Sequence, residues 1–190
     1  MPHWLVSRGV SGIDLATPLD RAIPYAPAAA YAYALCYVLI FVPPLVAWDA
    51  RLFRHAARGI TAVLVTSFAC FVAFPARVRY PPIGGDVGEW ILRKNALFAD
   101  FGFNAFPSLH VALAVFAALS VHDARPALRV PVWLATVAIA LSTVLVKRHF
   151  VVDVPAGAWL GGACYRVLLA GEVATWRASL APQGARDASA

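Results

Sequence analysis

The sequence predicts an all-α integral membrane protein, a helical bundle of about five transmembrane helices preceded by an interfacial segment. Three observations predict it. Of the 190 residues, 61% are hydrophobic and 14% charged, against roughly 45–50% and about 25% in an ordinary soluble domain. A soluble fold of this size leaves too much of its area in water to hide so much apolar surface. Finally, five apolar runs reach or approach the roughly 20 residues that a bilayer crossing requires. Disorder is excluded by plentiful aromatics and sparse charge.

The first run, Ala22 to Trp48, carries no charge. Gly59 to Ala76 is the second. Phe101 to Val121 is the third, with His110 as its one titratable group. Val130 to Val146 is the fourth and slightly short. Val154 to Gly171 is the fifth, with Arg166 near enough to an end to snorkel to the headgroups. Before them, Trp4, Leu5, Val6, Ile13 and Leu15 are interspersed with Arg8, Asp14 and Asp20. That mixture fits a segment lying on the membrane better than a cleaved signal peptide. The expected organisation is residues 1–21 interfacial, 22–171 transmembrane core and 172–190 polar tail.

Cys36, Cys70 and Cys164 lie in or at the ends of apolar runs. They read as small hydrophobes, not as a disulfide framework or zinc site. The net charge of +6 suits cytoplasmic loops and anionic headgroups. No nucleic-acid motif accompanies it. Arg51, Arg54 and Arg58 fall in one loop, Arg125 and Arg129 in another, and Arg177 and Arg186 in the tail. With alternating spans these share a side, which the positive-inside rule makes cytoplasmic. A bacterial inner membrane is the expected setting. The Ala-rich spans permit close helix packing and a homodimer.

Three segments concentrate unusual residues, and this topology puts all three on the non-cytoplasmic face. Arg77 and Arg79 emerge where Pro75, Pro81 and Pro82 end the second run. They are either membrane-boundary anchors or forks for an anion. Pro107, Ser108 and His110 open the third run. A helix start offers unpaired N–H groups and a positive dipole end. A histidine just inside it needs a partner or a purpose. Lys147, Arg148, His149 and Asp153 join the fourth and fifth runs. On a helix, His149 and Asp153 would share a face, and the carboxylate would fix the imidazole tautomer. Pro155 opposes a helix through Val151; with a helix starting near Asp153, His149 sits in the hinge instead.

Two chemistries compete for these residues. His110, His149 and Asp153 suit a metal site. The same histidines, with cations around them, suit phosphoryl transfer. The surplus of positive charge favours phosphate and disfavours a divalent cation. HExxH, CxxC, EF-hand and GxSxG patterns are all absent. The expectation is therefore no metal and no cofactor.

Phe106-Pro107-Ser108-Leu109-His110-Val111-Ala112, followed by Lys147-Arg148-His149-Phe150-Val151-Val152-Asp153-Val154, resembles the type 2 phosphatidic acid phosphatase superfamily, whose helical core is shared with vanadium-dependent haloperoxidases. The likeness spans about Ile23 to Leu169. Pro-Ser-Leu-His resembles the branch containing inositol phosphorylceramide synthases and related bacterial membrane phosphatases. The resemblance implies that His149 attacks phosphorus, Asp153 orients it, and His110 protonates the leaving group. Ser108 and nearby amides would hold a phosphoryl oxygen, and Arg79 would clamp the phosphate. Val72 stands where the family's first signature has Lys, and Ser142-Thr143 where its third has Ser-Arg. Lys147, Arg148 or Arg77 would supply the missing charge.

The expected function is a lipid phosphatase acting on a lipid phosphate or pyrophosphate through a phosphohistidine at the non-cytoplasmic face. One alternative is a phosphotransferase passing the group to an alcohol such as inositol. Another is a membrane scaffold that keeps the fold without catalysis. A transporter fits less well, since the polar residues gather at one face. The two histidines need different protonation states, so a bell-shaped pH–rate profile is expected.

Overall fold

A computed structural model describes residues 12–46, 49–81, 88, 90–92 and 103–180. Trp4, Leu5, Val6 and Arg8 of the interfacial segment, and Arg186 of the tail, lie outside the described residues. In chain order the helices are α1 (Pro18–Ala22), α2 (Ala30–Leu39), α3 (Val42–Val46), α4 (Ala50–Ala73), α5 (Leu109–Ala124), α6 (Arg129–Leu145), α7 (Asp153–Leu168) and α8 (Ala170–Ser179). Among the described residues the β structure is one isolated bridge, between Ile13 and Ala76.

α5 is the axis of the bundle. It is apolar on all sides, and ten of its residues, from Val111 to Val121, are buried. An all-round apolar helix is stable only when wrapped by neighbours, and α2, α3, α4, α6, α7 and α8 all pack on it. α4 turns one stripe inward, Leu52, Ala56, Gly59, Val63, Ser67 and Phe71, at the spacing of one helix face. At Gly59 the Phe116 ring fills the place of a side chain, with ring atoms 2.3 and 2.4 Å from where a Cβ would stand.

α5 and α7 approach most closely. A Cβ on Gly157 would stand 2.4 Å from the Ser108 carbonyl oxygen, and one on Gly161 would stand 2.1 Å from that of Ala112. Asp153, Gly157 and Gly161 recur every four residues, so one face of α7 carries all three. The small-residue stripe thereby presses the start of α7 against the start of α5. Ser108 N–H donates to the Asp153 carbonyl at 3.1 Å.

α4 (24 residues) and the 20-residue stretch Pro126–Leu145 are long and apolar enough to cross a bilayer. The other apolar runs form shorter helices. The first breaks between Leu39 and Val42, ahead of Pro43 and Pro44. The third begins its helix only at Leu109, after Pro107. The fifth ends at Leu168, and α8 follows. Part of the expected polar tail is thus helical, because Val173 is buried and Trp176 packs on the core.

The basic segments meet at one end, with Arg51, Arg54 and Arg58 in the opening turns of α4 and not in a loop. Arg51 Nε pairs with Glu172 Oε2 at 2.6 Å, and the Arg125 guanidinium lies 5.3 Å from the Trp176 ring centroid. Tyr165 donates to Asp123 at this same end. The N-terminus of α5 is at the other end, about 24 Å away at 1.5 Å per residue.

Candidate active site

The loop between α6 and α7 carries the densest set of polar side chains. α6 ends in a Schellman turn: Lys147 N–H donates to Val144 O at 3.1 Å and Arg148 N–H to Thr143 O at 3.0 Å. Lys147 occupies the left-handed position, φ 54°, where glycine is the usual residue. α7 starts at Asp153, so His149 lies in the hinge and not on the helix. Asp153 still closes the turn: its Oδ2 accepts from Phe150 N–H at 2.7 Å.

His149 is buried, and its Nδ1 donates to the Ala105 carbonyl oxygen at 2.8 Å. A carbonyl can only accept, so in the neutral ring Nδ1 carries the proton and Nε2 the free lone pair. Asp153 Oδ2 is 3.5 Å from the same Nδ1. The carboxylate is fully buried, and Oδ1 has no hydrogen-bond partner among the described residues.

His110 stands in the first turn of α5 and faces His149. Its Nδ1 is 3.4 Å from His149 Nε2 and 3.4 Å from the Tyr33 hydroxyl. The two imidazole centroids are 5.6 Å apart. α2 shapes the other side of His110, with Tyr33 tilted over its ring at 4.2 Å and Tyr37 edge-on at 6.0 Å. Ser108 is the N-cap of α5 and is fully buried; its Oγ accepts from Val111 N–H at 3.4 Å.

Arg148 is 5% exposed. Its guanidinium stacks on Tyr80 at 3.8 Å, and Nη2 donates to Leu92 O at 2.8 Å. Nη1 is buried without a hydrogen-bond partner among the described residues. A buried guanidinium donor left open is costly unless an anion completes it. His110, His149, Arg148, Tyr33, Tyr80 and Asn104 line a cavity of about 30 Å³. It adjoins one of about 550 Å³, with which it shares His149 and Tyr80.

A family model described as the PAP2 superfamily matches residues 13–167. The chain belongs to the PAP2 superfamily. No curated protein and no solved structure matches it. Membership suggests a phosphatase-type activity.

The sequence-predicted site residues of this PAP2 chain take three places. His110, His149 and Arg148 share the small cavity. Arg77, Arg79 and Lys147 line the larger one with His149. Ser108 and Asp153 lie buried behind the histidines. Lys147 Nζ is engaged elsewhere, donating to Asp20 O at 2.6 Å and Ile23 O at 2.5 Å. Arg77 and Arg79 are exposed, with Arg77 lying 5.2 Å over the Phe103 ring. Among the described residues, no three His, Cys, Asp or Glu side chains gather as a set that would hold a metal ion.

Sequence reasoning missed Ala105, Tyr33, Tyr80 and Asp20. The Ala105 contribution is a backbone oxygen, and no residue type announces one. Tyr33 is one of four tyrosines in its run, with Tyr25, Tyr31 and Tyr37, and nothing in the sequence singled it out.

Proposed function

We propose that this protein is a membrane-embedded, metal-independent lipid phosphatase that works through a phosphohistidine. The observation that carries this reading is His149, with Nδ1 tied to the Ala105 carbonyl and Nε2 on a cavity shared with His110 and Arg148. Nε2 attacks phosphorus, and the open Nη1 of Arg148 takes charge that builds on the phosphoryl oxygens. His110, with the Tyr33 hydroxyl at its Nδ1, gives the leaving oxygen its proton, then accepts one from the water that hydrolyses the intermediate. Asp153 stabilises the positive imidazole.

A bilayer setting is supported by the outward faces of the helices. Val65, Phe68 and Val72 on α4, and Val130, Leu134 and Leu141 on α6, are each more than half exposed. Continuous apolar surface of that kind is at home in lipid. In this reading the five apolar runs are five spans, the basic segments are cytoplasmic, and the histidines face the periplasm or exterior of a bacterial inner membrane. Residues 12–21 lie at the interface, and the small-residue helix faces permit a homodimer. The substrate is a lipid phosphate or pyrophosphate presented from the bilayer.

The 550 Å³ cavity beside His149 favours a second reading. It has room for an alcohol acceptor, which would make the enzyme a phosphotransferase of the inositol phosphorylceramide synthase-like branch.

The test is turnover by purified protein in detergent with EDTA. The substrates are phosphatidic acid, phosphatidylglycerol phosphate, an isoprenyl pyrophosphate and a phosphoinositide, each with and without inositol. The expected result is phosphate release that His149→Ala abolishes, with phosphohistidine detected by mass spectrometry. Turnover untouched by His149→Ala ends the catalytic reading. Phosphate release that is quantitative with inositol present ends the transferase reading.

A further inference from the structure

The segment before the first apolar run reaches the hinge that holds His149. Thr17 and Asp20 form a reciprocal capping box on α1. Asp20 Oδ2 accepts from Thr17 N–H at 2.8 Å and Thr17 Oγ1 at 2.5 Å. Its other oxygen, Oδ1, leaves the box and accepts from Val151 N–H at 2.7 Å, 131 residues away. From the hinge side, Lys147 Nζ returns two bonds, to the carbonyls of Asp20 and Ile23. His149 is therefore bracketed: two residues before it and two after it, the chain is bonded to the same turn of the N-terminal segment.

The backbone at Lys147 agrees with this. A non-glycine residue at φ 54° is strained, because its Cβ crowds the carbonyl oxygen that follows it. Glycine would relieve that strain, but glycine has no ammonium to reach Asp20 and Ile23. The residue at this turn is the one that makes the bond. Asp20 itself is only 9% exposed, and its carboxylate is fully used by the box and the hinge.

We infer that Asp20 is a positioning residue for His149, holding the hinge so that the imidazole keeps its bond to Ala105 and its approach to the cavity. The inference rests on the proposed role of His149 as nucleophile. Displacements of about 1 Å in a reacting group reduce rates by about a hundredfold, so loosening one of the two brackets should act on kcat before KM.

The experiment uses the full chain in detergent, with phosphatidic acid as the probe. Hydrogen exchange at the Val151 amide is followed beside kinetics for Asp20→Ala, Asp20→Asn and Asp20→Glu. The expected result for Asp20→Ala is at least about tenfold loss of kcat, KM within about threefold, and Val151 exchange about tenfold faster. Asp20→Asn keeps one acceptor oxygen and falls between. Asp20→Glu restores part of kcat. If Asp20→Ala does not fold, the asparagine variant carries the test alone.

A kcat within twofold of the parent in the folded variants, where His149→Ala is inactive, overturns the inference and leaves the phosphatase reading standing. A rise in KM at unchanged kcat also overturns it, making Asp20 a substrate contact on the cavity wall. Turnover indifferent to His149→Ala instead overturns the nucleophile assignment, and with it the positioning role; the exchange measurement then still reports whether Asp20 holds Val151.

Discussion

The Nδ1–H of His149 points at the Ala105 carbonyl oxygen 2.8 Å away, while the nearest oxygen of Asp153 stands at 3.5 Å. A backbone group sets the tautomer, and the carboxylate supplies charge beside the ring and closes the Phe150 turn. Asparagine at 153 keeps an acceptor for Phe150 and loses only the charge. Asp153→Asn is therefore expected to form phosphohistidine about ten- to a hundredfold more slowly, the span of a charged hydrogen-bond contribution. Asp153→Ala also strands the Phe150 N–H and should be worse. Rapid-quench measurement of the phosphoenzyme checks the order; an asparagine variant as inactive as His149→Ala would return the tautomer to the carboxylate.

Arg148 presents a planar guanidinium fixed on both sides, by Tyr80 at 3.8 Å and by Leu92 O at 2.8 Å. Lysine keeps the charge but lacks the fork and stacks less well. Arg148→Lys is expected to lose about a hundredfold in kcat/KM, the scale of one donor aimed at developing charge. Steady-state kinetics on phosphatidic acid decide it. Parental kinetics in Arg148→Lys would move the phosphate clamp to Arg77 or Arg79.

Asp20 gives the clasp a pH limit. Burial opposes its charged form, but hydrogen bonds from the Thr17 side chain, the Thr17 and Val151 amides, and the charge of Lys147 outweigh it. They hold the carboxyl below its ordinary value of 3.8. A depressed carboxylate stabilises the fold fully above its unfolded pKa, and that contribution is lost as pH falls through the folded value. Thermal midpoints of the parent and Asp20→Asn should differ by a constant amount above about pH 5 and converge below about pH 4. A gap that widens on acidification would contradict the assignment.

What the residues announced and what they hid divide by distance in the chain. His110, His149 and Asp153 were legible because each sits in a short local pattern at the start of a helix or in the turn before one. Whether His149 was helical or in the hinge depended on Pro155, and the helix begins at Asp153. The Asp20–Val151 bond spans 131 residues and leaves no local mark, so Asp20 read only as a charge among apolar neighbours. Lys147 read as a spare cation for phosphate, because composition reveals charge but not the carbonyls that occupy it. The apolar runs located the helices, yet hydropathy ran on past Pro43 and through Pro107, where missing N–H groups and ring clashes break the helix. The first and third run lengths therefore overstate their helix lengths, whereas α4 extends beyond the second run on its N-terminal side.

Gly157 and Gly161 let the start of α7 lie against the start of α5, and that contact sets the distance between the two histidine-bearing segments. A methyl group at 161 would fall 2.1 Å from the Ala112 carbonyl oxygen, and at 157 it would fall 2.4 Å from that of Ser108. Both obstacles are backbone, so the helices must separate. Gly157→Ala and Gly161→Ala are each expected to destabilise by about 1–3 kcal/mol. At Gly162, one residue on, the nearest atom is Leu119 Cδ1 at 4.0 Å, and Gly162→Ala should leave both stability and turnover unchanged. Thermal denaturation in detergent gives the ranking. Turnover well below the melting transition then separates geometry from stability. Gly157→Ala also strains the Ser108–Asp153 backbone bond, so its activity should fall further than its stability alone requires, whereas equal loss in both would make the glycine pair a packing device with no hold on the site.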